Sequence, residues 1–386
     1  MVWSRVIVSA LLGMMLAGCE QGAATAETKA PASQRAPAAP SGEQPGAGAS
    51  AEPLKKHASP PEEEAASAPE VEPDVFHRYG LREPRPRTAG TIRIATYNIE
   101  NLFDDKDDPA LSGRFEDIDD TKPAAQCEAV AQTIRRIDAD VLAVEEVESE
   151  DVLIAFRDTY LSDMGYDYVV SLDAGDERGI EQGVLSRYPI VARKQWVRMP
   201  LGGVHPAKYG SGDNWYAGEE IVFHRSPLMV EVEVPPSVTG GEPYRLTLLA
   251  VHSKSGAPAG YWREAEARGM VQVIGELMKE DPDRNLVVLG DFNATRDAES
   301  MQILERSGLI DVIGDRSGPE WISHASGRRI DHLLANPQAM EEIVPESAFI
   351  LGTTVGVEGM DWRDAAQLPG YASDHFPVVV DLKVRR

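Results

Sequence analysis

Apolar residues in this chain fall into short, often β-branched runs separated by polar turns. The runs Ile92 to Ile99, Val141 to Val144, Gly183 to Ser186, Leu246 to Val251, Asn285 to Leu289, Ile330 to Leu334 and Pro377 to Leu382 have the length and character of central strands. Between them the period becomes helical. Pro123 to Ile137 sets Val130, Ile134 and Ile137 on one face, and Ala259 to Lys279 is rich in Glu, Ala, Arg and Met. Strands alternating with helices predict an α/β fold, for which a doubly wound parallel sheet is one solution. No glycine-rich phosphate loop follows the first strand, so that solution lacks its usual ligand site.

The first quarter of the chain follows neither period. Arg5 and the apolar run Val6 to Leu16 form a short signal-type core, too short to span a bilayer as a permanent helix. The run ends in Leu16-Ala17-Gly18-Cys19, which resembles a bacterial lipobox. That resemblance implies removal of residues 1–18, lipidation of Cys19 and a lipid-anchored, extracytoplasmic protein of the cell envelope. Glu20 stands where inner-membrane retention signals commonly have Asp, so the outer membrane is expected. From Glu20 to Asp74 the chain is mostly Ala, Pro, Glu, Ser and Gly with no aromatic residue, too little apolar surface to offset chain entropy. Residues 19–89 are therefore expected to be a lipidated cysteine and an extended, disordered tether.

Residues 90–386 are enough for one sizeable core, and no repeat or linker divides them. Two cysteines, one of them Cys19, exclude a disulfide framework. A net charge of -25 argues against a broad basic surface that grips nucleic acid. Part of that charge sits in the tether and in the loop Asp104 to Asp120, and acidity suits carboxylates gathered around a divalent metal.

Five fragments carry candidate chemistry: Tyr97-Asn98-Ile99-Glu100, Glu145-Glu146-Val147, His252-Ser253-Lys254-Ser255, Gly290-Asp291-Phe292-Asn293 and Ser373-Asp374-His375-Phe376-Pro377. In this order, with each able to end a strand, they resemble the endonuclease/exonuclease/phosphatase superfamily. Its members include DNase I, exonuclease III, abasic-site endonucleases, sphingomyelinases and inositol-polyphosphate 5-phosphatases. The resemblance implies a four-layer α/β/β/α sandwich, DNase I-like, with its site at one edge of two sheets. It also implies metal-dependent phosphoester hydrolysis, with Mg²⁺, or else Mn²⁺ or Ca²⁺, as the cofactor.

Matched residue by residue, the resemblance assigns Asn98, Glu100, Glu146 and Asp374 to the metal. Glu145 stands where the family usually has Gln and is expected to face away or to lie outside the ligand set. Alternation in a strand puts Asn98 and Glu100 on one face. Asp291 orients or activates the attacking water and Asn293 contacts phosphate; read without the family, the same two residues suit an Asx turn. His252 and His375 form the acid–base pair, suited by a pKa near neutrality. Asp331 is expected to hold His375, and Glu181 to hold His252. Arg225 resembles an arginine that faces the substrate phosphate, a role its bidentate fork fits.

Two departures bear on substrate. The stretch Arg198 to Glu220, with His205, Lys208, Tyr209, Trp215 and Tyr216, has no placed counterpart; its aromatics are suited to stacking bases, covering the core or gripping a lipid or sugar headgroup. Gln182-Gly183 replaces a bulkier apolar pair. The expected function is a monomeric extracytoplasmic nuclease acting on phosphodiesters, with nucleic acid as the expected substrate class and the N-terminal lipid as the membrane contact. A phospholipid or sphingolipid phosphodiesterase is the nearest alternative, and a degenerate surface binding module the alternative from another class.

Overall fold

The computed structural model describes residues 77–109, 111, 121–360 and 362–384. The lipobox with Cys19, the signal segment, most of the expected tether and residues 112–120 of the acidic loop lie outside the described residues. Two six-stranded mixed sheets stack face to face. In the first, the strands run in the order Ile343–Ile350, Val378–Lys383, Thr91–Leu102, Val141–Val147, Glu181–Ser186 and Tyr168–Ser171. The second runs Ile310–Asp311, Asp331–Ala335, Leu286–Asp291, Tyr244–His252, Leu228–Val234 and Ile190–Lys194.

Side-chain alternation sorts the apolar residues into three layers of core. Ile92, Ile94, Val141, Ala143, Leu246, Leu248, Val287, Leu289, Val378 and Val380 meet between the sheets. Their odd-phase neighbours Ala95, Tyr97, Leu142 and Val144 pack outward with Ile134 and Phe156 of the helices Ala124–Ile137 and Glu150–Tyr160. On the far side, Leu249, Val251, Leu286 and Val288 meet Met270, Val273 and Met301 of the helices Gly260–Glu280 and Glu299–Arg306. The result is the α/β/β/α sandwich, with each sheet buried on both faces, which is why its strands read as continuous apolar runs.

All seven predicted strands and both predicted helices form, with shifted ends. Leu228–Val234 and Ile343–Ile350 were not among the predicted strands: the first alternates Glu with Val, and the second contains Pro345 and a register shift between Val344 and Phe349. The N-terminal boundary is earlier than residue 90. Gly80 and Leu81 N–H groups donate to Pro319 and Ile350 carbonyls at 3.0 and 2.7 Å, and the Thr88 N–H donates to Asp381 at 2.7 Å. The segment from Gly80 to Thr88 thus belongs to the folded body and not to a tether.

Candidate active site

The inner-face phase of the strands continues past the apolar core into the polar residues that end them. Thr96 and Asn98 continue Ile92 and Ile94; Glu145 continues Val141 and Ala143; His252 continues Leu248 and Ala250; Asp291 continues Val287 and Leu289. The parallel pair Tyr244–His252 and Leu286–Asp291 sets His252 opposite Asp291, and the antiparallel neighbour sets Asp331 opposite Asp291. One edge of the sandwich therefore collects carboxylates and imidazoles from both sheets.

Glu146 is out of phase with this face. A register shift between Glu145 and Val147, with φ of 64° at Glu146, turns its carboxylate into the cluster. Glu145 stays on the inner face, fully buried, accepting from Thr96 Oγ1 at 2.8 Å. Burial, and then the hydroxyl and the nearby Asp331 and Asp291, act on its carboxyl, with the net effect of holding it well above the usual range. Glu100 also arrives by irregular backbone and not by alternation. Its φ is 54°, and its N–H donates to Asn98 Oδ1 at 3.0 Å. Among the described residues six non-glycines have positive φ, and Glu100, Asn101, Glu146 and Asn293 are four of them. Such strain concentrates where geometry is imposed by function.

The contacts centre on Asp291 Oδ2. It lies 3.5 Å from His252 Nε2, 3.8 Å from His375 Nε2 and 3.3 Å from Asn98 Nδ2. Asn98 Nδ2 also reaches Glu146 Oε1 at 3.2 Å, which is 3.7 Å from His252 Nε2. Glu146 Oε2 accepts from the Asn101 N–H at 3.1 Å. Asp291 Oδ1 takes the Asn293 N–H at 2.7 Å, so the Asx turn does form; Asn293 Nδ2 meanwhile donates to Asp291 Oδ2 at 3.0 Å and to the Ser253 carbonyl at 3.2 Å. One oxygen of Asp291 closes the turn while the other serves the cluster. His375 Nδ1 sits 3.0 Å from both oxygens of Asp331, and its Nε2 is 3.8 Å from Asp374 Oδ1.

The two imidazoles are electrostatically unlike. Burial and then the Arg225 charge hold His252 well below its ordinary pKa, so it is neutral. Burial opposes the charged form of His375 as well, but Asp331, Asp291 and Asp374 together outweigh it and hold the group well above. Burial first, partly offset by His375, pushes Asp291 up to about 7. Burial and then the Asp374 charge push Glu100 up to about 7, with Glu146 adding to the effect. Glu100, Glu146 and Asp374 are therefore candidate oxygen donors for a hard divalent cation, beside Asn98, which turns Nδ2 to Glu146 and Asp291 and Oδ1 to the Glu100 N–H. Asp291, Asp331 and His375 also bring one ligand atom each within 4.8 Å of the others, as do His324, Asp374 and His375.

Two sequence expectations need correction. Glu181 does not hold His252: it lies on the opposite phase from Gln182, and its carboxylate accepts from Ser171 Oγ at 2.6 Å. The inner-face residue is Gln182, whose amide, oriented to satisfy both neighbours, accepts from the His252 N–H at 3.3 Å and donates to the Ser226 carbonyl at 3.0 Å. His252 Nδ1 is buried with no hydrogen-bond partner among the described residues. Arg225 is only 4 % exposed, with Nε 2.5 Å from Asp176 Oδ2. It is a buried ion pair beside His252 and not an open phosphate clamp. Gly183 has a packing reason, because a Cβ there would meet Leu153 at 2.5 Å.

Sequence reasoning left Arg198 to Glu220 open. His205 Nδ1 lies 2.8 Å from Tyr261 Oη, and His205 and Tyr216 pack edge-on against Trp262, so these two cover the helix Gly260–Glu280. Trp215 is 83 % exposed. Ser323, His324 and Tyr371 were missed altogether. Ser323 Oγ donates to Asp331 Oδ2 at 2.7 Å, His324 Nε2 is 3.2 Å from Asp374 Oδ2, and the Tyr371 hydroxyl donates to Glu100 Oε2 at 2.9 Å. None of the three ends a strand or carries a local motif.

The model of the endonuclease/exonuclease/phosphatase family matches residues 95–375. No curated protein matches the chain in sequence. Similar solved structures include the catalytic domain of human Nocturnin with bound sulfate, 14 % identical over 77 % of this chain and 95 % of that one, TM-score 0.47. An endonuclease/exonuclease/phosphatase family protein from Bacteroides thetaiotaomicron is 18 % identical over 77 % and 98 %, TM-score 0.46. A mannosyl-6-phosphatase from the same species is 18 % identical over 75 % and 99 %, TM-score 0.47.

Proposed function

The chain belongs to the endonuclease/exonuclease/phosphatase family of phosphoesterases, and from that premise we propose that it is a metal-dependent phosphodiesterase of the nuclease type. The observation that carries the reading is the convergence of His252, His375 and Asn98 on one oxygen of Asp291 within 3.8 Å, beside Glu146. The amides of Asn98 and Asn293 bond to Asp291 directly, whereas the two imidazoles stand 3.5 and 3.8 Å from Asp291 Oδ2, and His252 also 3.7 Å from Glu146 Oε1, too far for direct hydrogen bonds. That spacing suits a group bound between them.

Asn98, Glu100, Glu146 and Asp374 would hold a divalent cation, Mg²⁺ in this reading, which would supply charge stabilisation of the phosphate and lower the pKa of a water. Asp291 takes the proton of the attacking water as its oxygen bonds to phosphorus. His375, held by Asp331, donates to a phosphoryl oxygen and stabilises charge that develops in the transition state. Neutral His252 faces the same phosphate from the second sheet. The ester P–O bond breaks, and the departing oxygen takes a proton from solvent or from an imidazole. No covalent enzyme intermediate is required.

The exposed Trp215 and Val204 on the Arg198 to Glu220 stretch favour one second reading, a lipid-headgroup phosphodiesterase. A panel of plasmid, single-stranded DNA, RNA, sphingomyelin and simple bis-phosphodiesters, each with and without chelator, tests both readings. Nucleic acid cleavage supports the first, sphingomyelin cleavage the second, and inactivity on all with added metal removes both. We also propose that Cys19 carries lipid and holds the enzyme on the extracytoplasmic side of the envelope, supported by Leu16-Ala17-Gly18-Cys19.

A further inference from the structure

The segment Ser323 to Arg328 folds back as a hairpin against the residues that carry Asp374 and His375. The Phe376 N–H donates to the Ser323 carbonyl and the Ala325 N–H to the Asp374 carbonyl, both at 2.7 Å, so His324 pairs antiparallel with His375. Consecutive side chains of this hairpin then reach consecutive parts of the site. Ser323 Oγ accepts from the Ile330 and Asp331 N–H groups at 3.0 Å and donates to Asp331 Oδ2. His324 lies edge-on to His375, centroids 4.5 Å apart, with Nε2 3.2 Å from Asp374 Oδ2.

The tautomer of His324 follows from its other nitrogen. Two Ser326 groups face Nδ1: the hydroxyl at 2.7 Å, which accepts from Arg328 Nε and keeps its own proton to donate, and the backbone N–H at 2.9 Å, which can only donate. Nδ1 therefore holds a lone pair, and the proton of the neutral ring is on Nε2, aimed at Asp374. Each oxygen of Asp374 then faces a different imidazole, Oδ2 toward His324 and Oδ1 toward His375. The carboxylate plane is set between two rings.

We propose that His324 is a positioning residue of the phosphoesterase site, fixing the Asp374 carboxylate for the cation by donation from Nε2 and walling one side of His375. The inference rests on the phosphodiesterase reading for its catalytic consequence. A rival use of the same atoms is a cation held directly by His324, Asp374 and His375, whose ligand atoms lie within 4.8 Å of one another. The tautomer argues against it. To ligate, Nε2 must lose its proton, Nδ1 must gain one, and the Ser326 N–H must exchange its imidazole acceptor for solvent.

Three variants of the full chain separate the possibilities. His324→Gln keeps a donor at the reach of Nε2, His324→Phe keeps a ring without the donor, and His324→Ala removes both. Mn²⁺ affinity is measured by calorimetry without substrate, and kcat and KM on bis(4-nitrophenyl) phosphate, after melting curves show each variant folded. Loss of an outer-sphere donor weakens metal binding or activity roughly 10- to 100-fold. The Phe and Ala variants should lose that much Mn²⁺ affinity and kcat with KM little changed, and Gln should restore most of both. A Phe variant equal to wild type in Mn²⁺ affinity overturns the proposal. So does an additional equivalent of Zn²⁺ bound by the wild type and lost in all three variants, which would make His324 a ligand. Wild-type inactivity on every diester would remove the phosphodiesterase reading, while the Mn²⁺ comparison would still decide the role of His324.

Discussion

His375 Nδ1 lies 3.0 Å from each carboxylate oxygen of Asp331, and the next residue, His332, points the other way, its ring between Asp311 Oδ2 at 3.1 Å and the Ala294 carbonyl at 3.0 Å. One strand thus places a carboxylate in the site and an imidazole in the core behind it. His375→Ala should lower kcat by a factor on the order of a hundred or more with substrate binding nearly intact. Asp331→Asn should cost less, because the imidazole remains but its tautomer is mis-set. His332→Ala should instead lower the melting temperature, leaving turnover per folded molecule near wild type. Steady-state kinetics beside melting curves separate the two, and a His332 variant as slow as His375→Ala would show that the site is not organised around Asp331.

The bulge between Glu145 and Val147 decides which glutamate serves the metal. Glu146 faces Asn98 and His252, whereas Glu145 is sealed against Thr96. Activity should disappear with chelator and return with Mg²⁺ or Mn²⁺. Glu146→Gln should remove far more of it than Glu145→Gln, since a neutral amide replaces a carboxyl that burial already disfavours as an anion. Kinetics of the two variants at saturating metal measure this, and the reverse ranking would place the cation against Thr96 and Glu145, between the sheets.

The same strand shows what was legible in sequence and what was not. Period-2 alternation carries Asn98, His252, Asp291 and Asp331 to one edge, because those residues continue the phase of their strands. It fails where the backbone leaves the extended region. Glu146 and Glu100 reach the cluster through positive φ, and no residue type in those fragments announces it. The placement of Glu181 fails for the opposite reason: the strand is regular there, and alternation favours Gln182 by one position. Ser323, His324 and Tyr371 join the site through contacts that depend on the whole fold, so no local pattern marks them.

Gly290 in the Gly290-Asp291-Phe292-Asn293 fragment has a steric reason. Its φ is 143°, and a Cβ there would sit 2.0 Å from the Val251 carbonyl oxygen on the neighbouring strand. Gly290→Ala should therefore destabilise the protein by several kcal/mol, about 3 or more, with part of the loss taken as displacement of Asp291. Chemical denaturation and residual turnover are the measurements. A variant as stable as wild type would mean that the two strands can separate without cost.

Lipidation at Cys19 predicts that Cys19→Ala takes up no labelled lipid and leaves the membrane fraction. Catalytic rate on a soluble diester should not change, because residues 80–384 contain the folded sheets and every candidate catalytic side chain. Fractionation and metabolic labelling check the first part. A variant that stays membrane-bound, beside a wild type without lipid, would remove the anchor.

Glu266 joins the two loops that flank His252. Its Oε1 accepts from the His224 N–H at 3.1 Å and its Oε2 from the Lys254 N–H at 3.0 Å, with Arg225 and Lys254 as the facing cations. Two effects oppose each other on this carboxyl. Burial favours the neutral acid, whereas the two N–H donors and the cations favour the anion; burial is the larger and pushes the group up to about 7 from 4.5. The folded protein then binds more protons than the unfolded chain between those values. Its stability contribution is fully present below about pH 4.5 and is lost as pH rises toward 7, at no more than about 1.4 kcal/mol per pH unit. Glu266→Gln removes that dependence. Denaturation of wild type and variant from pH 5 to pH 8 should show the wild type's relative stability falling with pH and levelling above 7. A relative stability that rises with pH instead would mean that the N–H donors and Arg225 outweigh burial, and that the two loops are held by a carboxylate anion.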